Sequence, residues 1–287
     1  MFWMLLLVLS PLNVRSQEEC GVPLQVGQSR VVVGSEAPPG AFPWIASLMY
    51  CLEDEMPFCK THRDYGSCAG TVINNRQVLT AAHCVVRRNP LSKFVLDAVI
   101  LGAVSLNESL LNGVAYVISD TIVHPNYEYV EPVAENHDIA LLNLKDVVEF
   151  TDFIKPICLP TLPDLLTKDF VGYNPFVAGW GTTKDAQGTT YSRSHVLLYQ
   201  QIPVVGQEAC QKYFERVIKP TQICAGTVGN GACFGDSGSA LMQPYQGRYY
   251  IIGIVSYGYY CTEDGNVEEP SVYTRITSHI DWITSNR

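Results

Sequence analysis

The chain has 287 residues, 19 basic and 28 acidic, with a formal charge of -9; 47% are hydrophobic and 16% charged. That composition supplies a sizeable core and excludes both a wholly disordered chain and a charge-rich coiled coil. The acidic balance argues against a nucleic-acid binder, which needs a positive face to displace counterions from phosphate.

The first element is an apolar run from Phe2 to Leu9, too short to span a bilayer, followed by Ser10-Pro11 and the small residues Val14 and Ser16. This is the layout of a secretory signal peptide over residues 1–16, and it predicts a secreted, extracellular protein. No later apolar run approaches the roughly 20 residues of a membrane helix, so no membrane partner is expected. Residues 17–30 are polar and carry one cysteine, Cys20. Beyond them, runs rich in β-branched and aromatic residues recur at 77–80, 95–101, 115–118, 139–144, 176–177, 196–202, 249–255 and 272–276. Gly, Pro, Asn and Asp separate them, which predicts an all-β sandwich or barrel. Helix signals are few. Ser278-His279-Ile280-Asp281 before Trp282-Ile283 has the capping-box pattern and predicts a C-terminal helix; 207–217 is a second candidate.

Ten cysteines behind a signal peptide read as disulfides. No CxxC or HExxH pattern gathers metal ligands, so neither a metal nor a cofactor is expected. Asn107-Glu108-Ser109 is a glycosylation sequon.

Three local patterns stand in one order: Leu79-Thr80-Ala81-Ala82-His83-Cys84, then Asn136-His137-Asp138-Ile139-Ala140, then Gly235-Asp236-Ser237-Gly238. Each alone has a plain reading as a core histidine, a turn aspartate or a loop serine. Together they carry chemistry. A serine hydroxyl is a weak nucleophile that needs an adjacent base, and the base needs an acid to fix its tautomer. Glycines beside the serine let backbone N–H groups converge on an oxyanion.

With these motifs in this order, residues 31–287 resemble the chymotrypsin family of secreted serine endopeptidases. The resemblance implies two six-stranded antiparallel Greek-key barrels, a C-terminal helix, and an active site between the barrels. It implies His83 as general base, Asp138 as its orienting acid and Ser237 as nucleophile, with an oxyanion hole from the N–H groups of Gly235 and Ser237. His137 reads as a bystander. Residues 17–30 become an activation pro-segment: a trypsin-like enzyme would cut after Arg30, in Arg30-Val31-Val32-Val33-Gly34, and the new ammonium of Val31 would pair with Asp236. A buried charge without its partner costs about 3–5 kcal/mol, enough to hold the serine loop misformed before cleavage. The disulfides implied are Cys20–Cys158, Cys68–Cys84, Cys210–Cys224 and Cys233–Cys261. Another bridge common in the family is missing at both ends, where Pro175 and Gln243 stand. Cys51 and Cys59, in an enlarged loop, remain to pair with each other. Two further departures are Gly238-Ser239-Ala240, where most relatives have glycine then proline, and Ala103, where calcium-binding relatives need a carboxylate.

In trypsin-like relatives a carboxylate six residues before the nucleophile selects Arg or Lys; here that residue is Gly231, followed by Ala232. A cationic side chain would be desolvated there without a partner. With Phe234 as an apolar lid, Ser256, Tyr257 and Gly258 as wall and substrate strand, and Ser271 narrowing the back, cleavage after uncharged apolar residues is expected. Glu263, Asp264, Glu268 and Glu269, in the loop behind, are the alternative source of a charge. Expected partners are protein or peptide substrates, the activating protease and protein protease inhibitors. The rival is a protease-like binding protein without catalysis, whose kind usually lacks a triad residue. An α/β-hydrolase esterase fails on chain order and on the missing βαβ alternation.

Overall fold

The computed structural model describes residues 19–24, 34–55, 68–86, 93–106, 113–130, 133–184, 191–227, 231–232, 235–258 and 269–287. The signal segment, Arg30, Val31, Cys59, Asn107, Cys233, Phe234, Cys261, Glu263, Asp264 and Glu268 lie outside these residues.

The first half is a closed barrel of six strands, in spatial order Ile45–Leu52, Ala69–Asn74, Gln77–Thr80, Ala140–Leu144, Val114–Val123 and Phe94–Leu101. All neighbours are antiparallel, and Ile45–Leu52 closes the ring against Phe94–Leu101. Val72, Val78, Leu79, Leu101, Leu141 and Leu142 on its strands are fully buried. Gln77–Thr80 is buried at all four positions and Ala140–Leu144 at four of five, so side chains on both faces of these strands are covered, and those on one face fill the interior.

The second half is a curled eight-stranded sheet. From one edge it runs Ser35–Glu36, Leu198–Gln201, Phe176–Gly179, Ala240–Tyr245, Arg248–Tyr257, Ser271–Arg275, Gln222–Ala225 and Val204–Val205. Leu198–Gln201 and Val204–Val205 are two pieces of one chain segment, interrupted at Ile202-Pro203. Pro203 has no N–H to give a ladder, so the strand breaks there. Its first piece pairs with Phe176–Gly179 and its second with Gln222–Ala225, so the segment bridges the two sides of the sheet. Counted as one bent strand, it makes the sheet a ring of six strand positions, with Ser35–Glu36 added outside it.

Aromatic side chains join the halves. Trp44, fully buried, donates Nε1–H to Met242 Sδ at 2.9 Å and lies 5.4 Å from the Tyr249 ring. Phe42 packs on Tyr199 at 5.3 Å. Such pairs add about 0.5–1.5 kcal/mol beyond the area they bury.

The helices correct the sequence reading in detail. Helix 207–217 shrinks to Gln207–Gln211. The Gln211 side chain then takes over the backbone, donating to the carbonyls of Phe214 and Arg216 and accepting from the Ile218 N–H, each at 2.8 Å. A C-terminal helix is present as Ile280–Ser285, but Ser278 does not cap it. Ser278 ends a short 3-10 turn, and the cap position falls to His279, whose ring points inward.

Three implied disulfides form: Cys20–Cys158, Cys68–Cys84 and Cys210–Cys224. Cys51 is also disulfide-bonded. Residues 19–24 lie on the second barrel, with Gly21 N–H on the Pro156 carbonyl at 2.8 Å and Arg248 Nη1 on the Cys20 carbonyl at 2.8 Å.

Candidate active site

Strand register brings the first two motifs together. Thr80 pairs with Ala140 at the mouth of the first barrel. The chain leaving one strand therefore lies beside the chain entering the other, three residues to His83 and two back to Asp138. His83 sits in the 3-10 turn Ala82–Cys84, anchored by the Cys68–Cys84 bridge and by Tyr50 Oη on the Cys84 carbonyl at 2.8 Å.

Asp138 is 2% exposed. Its Oδ2 lies 2.7 Å from His83 Nδ1, and its Oδ1 accepts the His83 backbone N–H at 2.9 Å. Ser256 Oγ donates to Oδ2 at 2.6 Å, and Thr274 Oγ1 donates to the Asp138 carbonyl at 2.8 Å. Burial is the largest single influence on this carboxyl and pushes its pKa up. The charge and hydrogen bonds of His83, with the Ser256 hydroxyl, outweigh it and hold the group below the usual carboxylate range. A carboxylate accepting at Nδ1 fixes the histidine tautomer with the lone pair on Nε2, the state a general base requires.

The serine loop is tied to both halves by backbone. Ala69 N–H donates to the Ser237 carbonyl at 2.7 Å, and Gly238 N–H donates to the Val255 carbonyl at 2.9 Å. Gly238 has φ +81°, and a Cβ there would stand 2.3 Å from both the Ala69 carbonyl oxygen and Thr80 Oγ1. Only glycine fits. Ser239, at a departure from the family pattern, is fully buried and donates its hydroxyl to the Ala178 carbonyl, pinning the loop to Phe176–Gly179. Asp236 lies against Gly179 and Gly181, where a Cβ would come within 1.9 and 2.5 Å of its carboxylate. Gly181 N–H donates to Asp236 Oδ1 at 2.9 Å.

Gly231 is buried and its carbonyl accepts Gln200 Nε2 at 2.6 Å. Ala232 packs on the second-barrel core. Gly258 faces Ser271, with an added Cβ falling 3.0 Å from Ser271 Oγ. Tyr257 meets Phe214 edge-on at 5.8 Å. Glu269, half-buried, is the member of the acidic loop set among the described residues. Ser256, expected from sequence in the wall and substrate strand, directs its hydroxyl onto Asp138.

Sequence reasoning missed three other residues. Thr274 orients the Asp138 backbone. Tyr273 is fully buried, and burial and the Asp236 charge raise its hydroxyl pKa far above the usual value. Its position between Ser271 and Thr274 on a recognised strand was the available signal. His279 is 2% exposed and packs on His137, and burial holds its imidazole down to about 4.

The family described as Trypsin matches residues 31–283. The chain is 37% identical over 265 residues to the venom serine protease Bi-VSP of Bombus ignitus, covering 89% of this chain and 68% of that protein. It is 38% identical over 256 residues to a venom protease of Bombus pensylvanicus, covering 88% and 96%. It is 35% identical over 281 residues to the proclotting enzyme of Tachypleus tridentatus, covering 94% and 69%.

Proposed function

The chain belongs to the trypsin family of serine proteases and is a serine endopeptidase, and on that premise we propose that Ser237, His83 and Asp138 are its catalytic triad. The observation that carries this reading is the buried Asp138 carboxylate, 2.7 Å from His83 Nδ1, beside a serine loop bonded to the same barrel. His83 Nε2 takes the hydroxyl proton as Ser237 Oγ attacks the scissile carbonyl carbon. The N–H groups of Gly235 and Ser237 receive the oxyanion. The imidazolium then protonates the leaving amine, and the C–N bond breaks to leave an acyl-enzyme. Water, giving its proton to His83, hydrolyses the ester and frees Ser237.

In this reading the enzyme is secreted as a zymogen, with residues 1–16 as signal peptide and 17–30 as pro-segment. Cleavage after Arg30 frees the Val31 ammonium to pair with Asp236, while Cys20–Cys158 keeps the pro-segment attached. Among the described residues no helix is long and apolar enough to cross a membrane. The neutral backbone of Gly231 and the small Ala232, with Ser271 opposite Gly258, favour uncharged apolar side chains before the cut. Substrates are proteins or peptides, and protein inhibitors that mimic them are the expected partners.

Labelling with a fluorophosphonate tests the reading. The chain cut after Arg30 should incorporate one label at Ser237, and the uncut Arg30→Gln form should not. Equal labelling of Ser237→Ala would refute the nucleophile; full activity of uncut Arg30→Gln would refute the activation.

A further inference from the structure

Three of the six histidines converge on one spot beside Asp138, although they stand at 124, 137 and 279 in the chain. Strand pairing explains the meeting. Val123 pairs with Ala140, so His124 and His137 lie side by side at the strand ends, and the His124 N–H bonds the Ile139 carbonyl at 3.1 Å. The C-terminal helix then brings His279 underneath. The His124 and His137 rings stack at 4.5 Å with planes 5° apart, and His279 meets both edge-on, at 5.3 and 5.2 Å. One ring nitrogen from each lies within 4.8 Å of the others.

The buried histidine already holds the tautomer a ligand needs. His279 Nδ1 lies 2.7 Å from the Arg275 carbonyl and can only donate there, which leaves the Nε2 lone pair facing the cluster. That nitrogen lies 3.0 Å from His137 Nδ1, whose proton bridges the two while no ion is bound. An ion entering here moves that proton to Nε2 of the same ring and frees the Nδ1 lone pair. His124, whose Nδ1 accepts the Asn126 N–H at 3.2 Å, must give up either that bond or its Nε2 proton. Two ligands at the usual zinc–nitrogen distance of about 2.0–2.1 Å sit roughly 3.3 Å apart in a tetrahedral site, close to the spacing already present. Glu128, whose carboxylate acts on His137 and bonds Lys219 at 2.6 Å, adds an anionic group near the same ring. His124 and His137 are partly exposed, so the cluster can be reached from solvent.

We propose that His124, His137 and His279 form a binding site for a divalent transition metal of the zinc class, and that occupancy slows turnover through the His137–Asp138 backbone. His137 holds φ 48°, a left-handed conformation that non-glycine residues rarely adopt, and its carbonyl accepts the Ile139 N–H at 2.8 Å. Drawing its ring onto an ion shifts the neighbouring residue, whose carboxylate orients His83. A misplacement of about 1 Å at such a group can cost on the order of a hundredfold in rate. Sequence spacing gave no metal motif because the three ligands come from three separate elements. The effect on turnover depends on the triad reading; the site itself does not.

The test is calorimetric titration of zinc chloride into the uncut full chain, with inhibition measured separately on the cut enzyme. One ion per chain should bind, and His124→Gln and His279→Gln should each weaken binding at least about tenfold, while His83→Ala should not. Inhibition should reverse on adding a chelator and should be lost in His124→Gln, read against that variant's own metal-free rate. His279 is buried, so if His279→Gln fails to fold, His124→Gln at the partly exposed end decides the question. Affinity unchanged in His124→Gln overturns the site. Stoichiometric binding with unaltered turnover overturns the coupling to Asp138.

Discussion

Replacing Gly238 by alanine should damage both the fold and the active site, by an amount the structure lets one work out. The left-handed backbone at φ +81° costs a non-glycine residue about 1–2 kcal/mol. The new methyl group would lie 2.3 Å from the Ala69 carbonyl and from Thr80 Oγ1. Those two atoms are joined by a buried 2.7 Å hydrogen bond, so neither can step aside alone. Relief requires the serine loop to back away, stretching both that bond and the 2.7 Å bond from Ala69 N–H to the Ser237 carbonyl. Each is worth about 0.5–1.5 kcal/mol, and the whole change comes to about 2–5 kcal/mol. Urea unfolding of the cut enzyme should show that loss. Because the displaced loop carries Ser237, hydrolysis of a peptide amide should fall by on the order of a hundredfold. A variant with stability and turnover both unchanged would refute the reasoning, since the methyl group would then have found room that the structure does not contain.

Three further outcomes follow from the same geometry. Asp138→Asn presents an amide N–H₂ to at least one donor that now points at a carboxylate, favouring the His83 tautomer with its proton on Nε2; peptide turnover should collapse at pH 7 while substrate affinity changes little, as steady-state kinetics would show. Because the folded pKa of Asp138 is lowered, its contribution to stability is present above the unfolded value near 3.9 and is lost as pH falls through the folded one. Ser256→Ala, by removing a 2.6 Å hydrogen bond to that carboxylate, should move the acid-unfolding midpoint upward and cost about 1.5–3 kcal/mol at neutral pH, measured by denaturation at several pH values. Gly231→Asp should turn cleavage toward Arg and Lys in a peptide-library profile; an unchanged apolar preference would remove Gly231 from the pocket floor.

Much of the site was legible in the sequence because local pattern and local geometry coincide. Thr80 and Ala140 end and begin short apolar runs, so motifs just outside them meet once those runs pair. The disulfides Cys68–Cys84 and Cys210–Cys224 close spans of 16 and 14 residues, and the first ends inside the histidine motif. What stayed hidden depends on contacts between halves of the chain. Nothing near Ser256 announces that its hydroxyl is bonded to a carboxylate 118 positions earlier. His279 reads as an ordinary residue in a capping pattern until the helix is docked, and only then do its two nitrogens acquire the Arg275 carbonyl and the His137 ring. The helix 207–217 was overestimated because composition does not show that Gln211 would capture three backbone groups and end it.

The division of labour around Asp138 has a consequence for the order of events in folding. Its base lies in the first barrel, but Ser256 and Thr274, which bond its carboxylate and its carbonyl, arrive with the second, 118 and 136 residues later. The first ring can close around its own leucines and valines without them. Contacts so distant in sequence form slowly, because loop closure must come before they reward it. The charge therefore stays incompletely coordinated until the two rings dock, and catalytic competence is acquired last. Recovery of turnover on refolding should trail the return of the strand signal in circular dichroism.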